Sequence, residues 1–73
     1  MKIIECVPNF SEGRDLELIK EITDTMESVS GITLLDADPG ADTNRTVVTI
    51  VGDPKSVIES AFLGIKKGSE LIN

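Results

Sequence analysis

"ITLLDADPGADTNRTVVTIVG", residues 32–52, sets two aliphatic runs on either side of a polar stretch that holds three aspartates, a Pro-Gly pair and an Asn-Arg pair. The runs "ITLLDA" (32–37) and "RTVVTIVG" (45–52) are short and rich in β-branched residues, and turn formers separate them, so they read as two strands joined by a hairpin. In the second run Val48 and Ile50 alternate with Val47, Thr49 and Val51. Aliphatic residues on both faces predict a central strand, covered on at least one side. The loop explains Pro39-Gly40, Asp42, Thr43 and Asn44 as turn residues, but not Arg45 entering a strand opposite Asp36 and Asp38.

Toward the N-terminus, apolar residues Leu16, Ile19, Ile22, Met26 and Val29 recur every three or four positions with acids and lysines between them, which predicts an amphipathic helix. Asp15 is placed to cap its start, and Gly31 to take the left-handed conformation at its end. Before it, "KIIECVP" (2–8) predicts a strand stopped by Pro8. Toward the C-terminus, Asp53 followed by Pro54 is a strong helix-start signal, and Val57, Ile58, Ala61, Phe62, Ile65 and Ile72 form the expected buried stripe. Gly64 and Gly68 weaken that helix by about 1 kcal/mol each relative to Ala, so packing must hold its last turns.

The resulting order is strand, helix, strand, strand, helix. It predicts an α+β fold: a ferredoxin-like βαββα(β) sandwich lacking its last strand, with both helices on one face of a mixed sheet and strands one and three parallel at its centre. In the complete fold the absent strand pairs with strand one. The edge of "KIIECVP" is therefore expected to be open to another chain. This topology also places the strand-one exit loop at one end of the sheet, and the hairpin with the exit of the second helix at the other.

Size and charge narrow the function classes. A chain of 73 residues makes one small domain, which hides only about 60% of the surface its unfolded form exposes. With two Phe and no Trp or Tyr, the core must be aliphatic. A net charge of −6 without clustered cations, Lys66-Lys67 being only a pair, argues against a nucleic-acid partner. No membrane span or signal peptide is apparent, and a single cysteine makes no internal disulfide, so the expected location is cytoplasmic. Cys6 reads as a small core residue. Histidine is absent, which removes the commonest general acid/base and metal ligand. Asp36 and Asp38 share a strand face, yet without histidine or a recognised loop pattern no metal site is expected. The loop "PNFSEGR" (8–14) reads either as a structured loop around Gly13 or as a ligand contact through Asn9, Ser11 and Arg14.

"ECVPNFSEGR" (5–14) and "LLDADPGADTNRTVVTIVG" (34–52) closely resemble the N-terminal subdomain of glutamate formiminotransferase, the transferase part of formiminotransferase-cyclodeaminase, and "AFLGIKKGSELIN" (61–73) is similar to that family's second helix. The resemblance covers essentially the whole of residues 1–73 and only a small opening portion of the enzyme. It implies formimino transfer from N-formimino-L-glutamate to tetrahydrofolate in histidine degradation, with the folate held between two subdomains. It also implies roles for residues. Asp38 matches an aspartate near a histidine contributed from just beyond the second helix, where a carboxylate orients the imidazole. Arg45 matches an arginine whose planar fork suits a carboxylate or developing negative charge. Asn9 and Asn44 match neutral hydrogen-bonding positions for substrate or folate. Tetrahydrofolate is thus the expected co-substrate, and the chain alone is expected to be inactive. Two other roles fit the residues: a non-catalytic ferredoxin-like module that binds or dimerises through its open strand-one edge, and one half of a split transferase that meets the missing subdomain on a separate chain.

Overall fold

The structure, a computed structural model, describes residues 2–72. Six elements follow in order: β1 (Ile4–Cys6), β2 (Asn9–Phe10), α1 (Leu16–Glu27), β3 (Thr33–Gly40), β4 (Arg45–Gly52) and α2 (Pro54–Leu71). The predicted first strand is β1 and β2 together. Pro8 was expected to stop it and does not: its carbonyl accepts from the Val48 amide at 3.0 Å, and Asn9 and Phe10 continue the pairing on β4 in the same register as Ile4, Glu5 and Cys6. Only the bond that proline cannot donate is lost.

β4 is the central strand, as its two-sided aliphatic pattern predicted, with β1 and β2 on one flank and β3 on the other. All pairings are antiparallel, which corrects the expected mixed sheet with strands one and three parallel. The reason lies in the connections. The crossover through α1 returns β3 in the direction of the first strand, and the hairpin then reverses β4, so β4 must run against β1 and β2. Two helices on one face of an antiparallel sheet form an α+β sandwich consistent with the ferredoxin-like fold. Among the described residues no strand follows α2.

The hairpin is tighter than its composition suggested. β3 runs through Asp38, Pro39 and Gly40, the proline being tolerated because β3 is an edge strand. The turn is therefore Ala41 to Asn44, with Asn44 in the left-handed region at φ 54°. A bulge between Leu34 and Asp36 keeps Leu34 and Ala37 on the face that β4 buries with Ile50 and Val48.

Both helix starts form as predicted. The Asp15 carboxylate accepts from the Leu18 amide at 3.1 Å, and Asp53 accepts from the Ser56 amide at 3.0 Å and its hydroxyl at 2.6 Å. The Ser56 hydroxyl and amide hold the Asp53 carboxyl below its usual pKa. Gly31, at φ +91°, packs against that cap. Phe10, Ile22, Met26, Val48, Ile50 and Val57 form the core between sheet and helices.

Four expected core positions lie outside. Leu16 is exposed, Leu18 packing inward in its place. More consequential is α2, which buries Val57, Ser60, Gly64 and Gly68 and leaves Ile58, Phe62 and Ile65 exposed. Close approach of α1 is the cause. The Ser60 hydroxyl donates to the Met26 carbonyl at 2.9 Å, and a Cβ at Gly64 would lie 2.7 Å from the Met26 sulfur and 2.8 Å from its Cγ. A similar atom at Gly68 would lie 3.1 Å from the Phe10 ring. The small residues that look like weak points of the helix are the ones that admit its neighbours. Gly64→Val is accordingly expected to lower stability by roughly 2 kcal/mol through overpacking, despite the gain in helix propensity. Phe62→Asp, studied in dilute solution, should change the urea midpoint little. Equal effects of the two substitutions would contradict this orientation of α2.

Candidate functional site

The antiparallel register decides which polar residues meet. Because β2 runs against β4, its end at Phe10 lies opposite Thr46, beside the hairpin. The strand-one exit loop and the hairpin are therefore at the same end of the sheet, not at opposite ends. They are clasped together. The Gly13 amide donates to Asn44 Oδ1 at 2.9 Å, Arg14 Nε donates to the Ala41 carbonyl at 2.9 Å, and the Thr46 hydroxyl donates to the Glu12 carbonyl. Gly13 lies so close to the hairpin that a Cβ there would be 2.6 Å from both the nitrogen and the carbonyl oxygen of Arg45. The left-handed Asn44 aims its side chain into this clasp, a use of asparagine that composition presented only as a turn former.

On the face of the sheet away from the helices, three strands place side chains in rows. Asn9, Val47 and Asp38 form one row, since Asn9 and Asp38 both pair with Val47 from opposite sides. Neighbouring strands are roughly 5 Å apart, so Asn9 and Asp38 stand about 10 Å from each other across Val47. Asp36 pairs with Thr49 on the same face, confirming that the two aspartates share it. Arg45 is opposite Gly40 rather than Asp36 or Asp38, and is the diagonal neighbour of Asp38. Asn9, Asp36, Asp38 and Arg45 are all exposed, and among the described residues Arg45 and the two aspartates form no ion pair. A guanidinium, a carboxylate and an amide thus converge, unspent, on a bare face floored by the half-buried Val47.

The end of α2 does lie at the hairpin end, as expected, because Gly68 packs on Phe10. It lies on the opposite face from Asp38 and Arg45. Asn73 is outside the described residues. Among those described, no group of three or more His, Cys, Asp and Glu side chains assembles that could hold a metal ion. No helix among the described residues is long and apolar enough to cross a membrane.

These features define an α+β sandwich that, among the described residues, exposes Asn9, Asp38 and Arg45 together on the sheet face away from the helices. The chain belongs to the family described as the formiminotransferase domain, N-terminal subdomain, which it matches over residues 3–73. It is 50% identical over 72 residues to the formimidoyltransferase-cyclodeaminase of Dictyostelium discoideum, an alignment that takes in 99% of this chain and 13% of that protein. With the glutamate formimidoyltransferase of Streptococcus pyogenes serotype M1 the identity is 47% over 72 residues, 99% of this chain and 24% of that protein. The Thermoplasma acidophilum glutamate formimidoyltransferase is 42% identical over 73 residues, covering 100% of the chain and 24% of the relative. The chain therefore spans about an eighth to a quarter of the length of the curated relatives it matches.

Proposed function

We propose that residues 1–73 are part of the N-terminal subdomain of a glutamate formiminotransferase, and that they contribute one wall of the site where a formimino group passes from N-formimino-L-glutamate to tetrahydrofolate. The observation that carries this reading is the placement of Asn9, Asp38 and Arg45 on one bare face at the clasped end of the sheet, in a chain of this family. Arg45 binds the substrate carboxylate through its planar fork. Asp38 orients an imidazole that a longer chain supplies, and stabilises its protonated form. Asn9 hydrogen-bonds substrate or folate across Val47. Asn44, whose Oδ1 is taken up by Gly13, serves the site by holding the loop of Asn9 and Ser11 to the hairpin. With no histidine in its sequence, the chain does not itself supply the imidazole that Asp38 orients in this proposal.

A segment exchange tests the proposal. The first 73 residues replace the matching segment of the Streptococcus pyogenes enzyme, and formimino transfer to tetrahydrofolate is followed spectroscopically. The chimera is expected to turn over, and the isolated chain is expected not to. A folded chimera without activity would refute the assignment, as would turnover by the pure 73-residue chain.

A further inference from the structure

Arg14 is the cation of "PNFSEGR" to which the proposed transfer gives no task. Its surroundings give it one. The Glu12 carboxylate accepts from the Arg14 and Asp15 amides, both at 3.0 Å, so the backbone from which the Arg14 side chain leaves is tied to the start of α1. From there Arg14 Nε reaches the Ala41 carbonyl, 27 residues away in sequence, at 2.9 Å. Gly13, the residue before it, receives Asn44 Oδ1 on its amide at 2.9 Å. Ala41 and Asn44 are the first and last residues of the turn, so two successive residues of one loop grip the turn at both ends. They do so from the helix side of the sheet. The neighbouring Thr46, which is buried, donates to the Glu12 carbonyl, whereas Arg45 alternates to the opposite face.

Arg45 follows the turn directly and pairs with Gly40, two residues after Asp38. At the other end of the gripping segment, Asn9 and Phe10 are held on β4. Residues 9–14 are therefore one continuous strap. Asn9 at its start stands in the candidate site, and Arg14 at its end fixes the hairpin that carries Asp38 and Arg45. From this connection we infer that Arg14 is a positioning residue of the formimino transfer, acting through Ala41 to hold Arg45 in place relative to Asn9 and Asp38. The inference rests on the function proposed above. Arg14 is exposed and among the described residues forms no ion pair, so its one hydrogen bond to the turn contributes little to folding. Reaction geometry is far more sensitive, since a displacement of about 1 Å can cost about 100-fold in rate.

A double-mutant cycle in the Streptococcus pyogenes chimera, with urea midpoints measured alongside, tests the inference. Arg14→Leu should raise KM for formimino-glutamate about tenfold, lower kcat by less, and leave the midpoint close to that of the parent chimera. In the Arg45→Leu background the same substitution should change KM by less than about twofold, because the group it positions is already gone. An Arg14 that touched the substrate itself would raise KM by a similar factor in both backgrounds, which would overturn the inference. So would an Arg14→Leu chimera with the parental KM, or one that no longer folds, since Arg14 would then serve the fold rather than the site. A chimera that is inactive without further substitution, or whose KM ignores Arg45→Leu alone, tells against the function proposed above and removes the inference with it.

Discussion

Asparagine in place of Asp38 in the Streptococcus chimera is expected to lower kcat at least about 100-fold, the range of a positioned acid/base partner. The side chain is exposed, lies on the face away from the helices and forms no ion pair among the described residues, so the fold has little use for it. A stability change within about 0.5 kcal/mol is expected for such a position. The effect should fall on the chemistry. A carboxylate beside an imidazole favours its charged form, and asparagine keeps a hydrogen bond without the charge. The imidazole should then titrate at lower pH, moving the corresponding limb of the kcat profile toward acid. A merely structural role would leave that limb in place. Arg45→Leu should act differently, raising KM for formimino-glutamate more than it lowers kcat, because its proposed task is to hold a carboxylate. A D38N chimera with normal kcat and an unmoved profile would remove Asp38 from the site.

The second large effect concerns stability. Gly13→Ala places a methyl group 2.6 Å from the nitrogen and oxygen of Arg45, and closer still to the Gly40 carbonyl. All three are backbone atoms, which cannot swing aside as a side-chain tip does. Overpacking usually costs 1–3 kcal/mol and occasionally more, so a loss of about 3 kcal/mol is expected here. It would also separate Gly13 from Asn44 and Glu12 from Thr46. A domain of this size holds only about 3–5 kcal/mol of stability from its core, so the variant should be substantially unfolded at ambient temperature. Urea denaturation followed by circular dichroism measures this. Asn44→Gly should cost only about 1 kcal/mol, since it loses one hydrogen bond while keeping a residue suited to positive φ. Similar midpoints for wild type and Gly13→Ala would show that the loop does not sit on the hairpin as described.

Part of the candidate site could be proposed from the residues themselves. Arg45 stands out against Asp36 and Asp38 because a turn does not need it there, whereas the roles proposed for Asp38, Arg45 and Asn9 come only with the family resemblance, and Gly13 is required by the close approach of the Gly40 and Arg45 backbone rather than by a special backbone angle. What could not be read was their assembly. Parallel first and third strands would have sent Asn9 and Arg45 to opposite ends of the sheet. The antiparallel pairing, which follows from tracing chain direction through crossover and hairpin, sets Phe10 opposite Thr46 and brings the two loops into contact. Asn44 was visible as a turn former, but its bond to an amide 31 residues away was not.

Local chemistry by itself determined the hairpin, the Asp15 and Asp53 caps, the left-handed Gly31 and the order of the elements, because each depends on groups within a few residues of one another. The polarity of the first strand against β4 follows from that order once the crossover and the hairpin are traced, whereas tertiary structure alone decided the inward face of α2. Periodicity reports which residues share a side of a helix, but not how near its neighbour comes. Met26 and Phe10 press so close that only Ser60, Gly64 and Gly68 fit between, and the larger Ile58, Phe62 and Ile65 are turned outward.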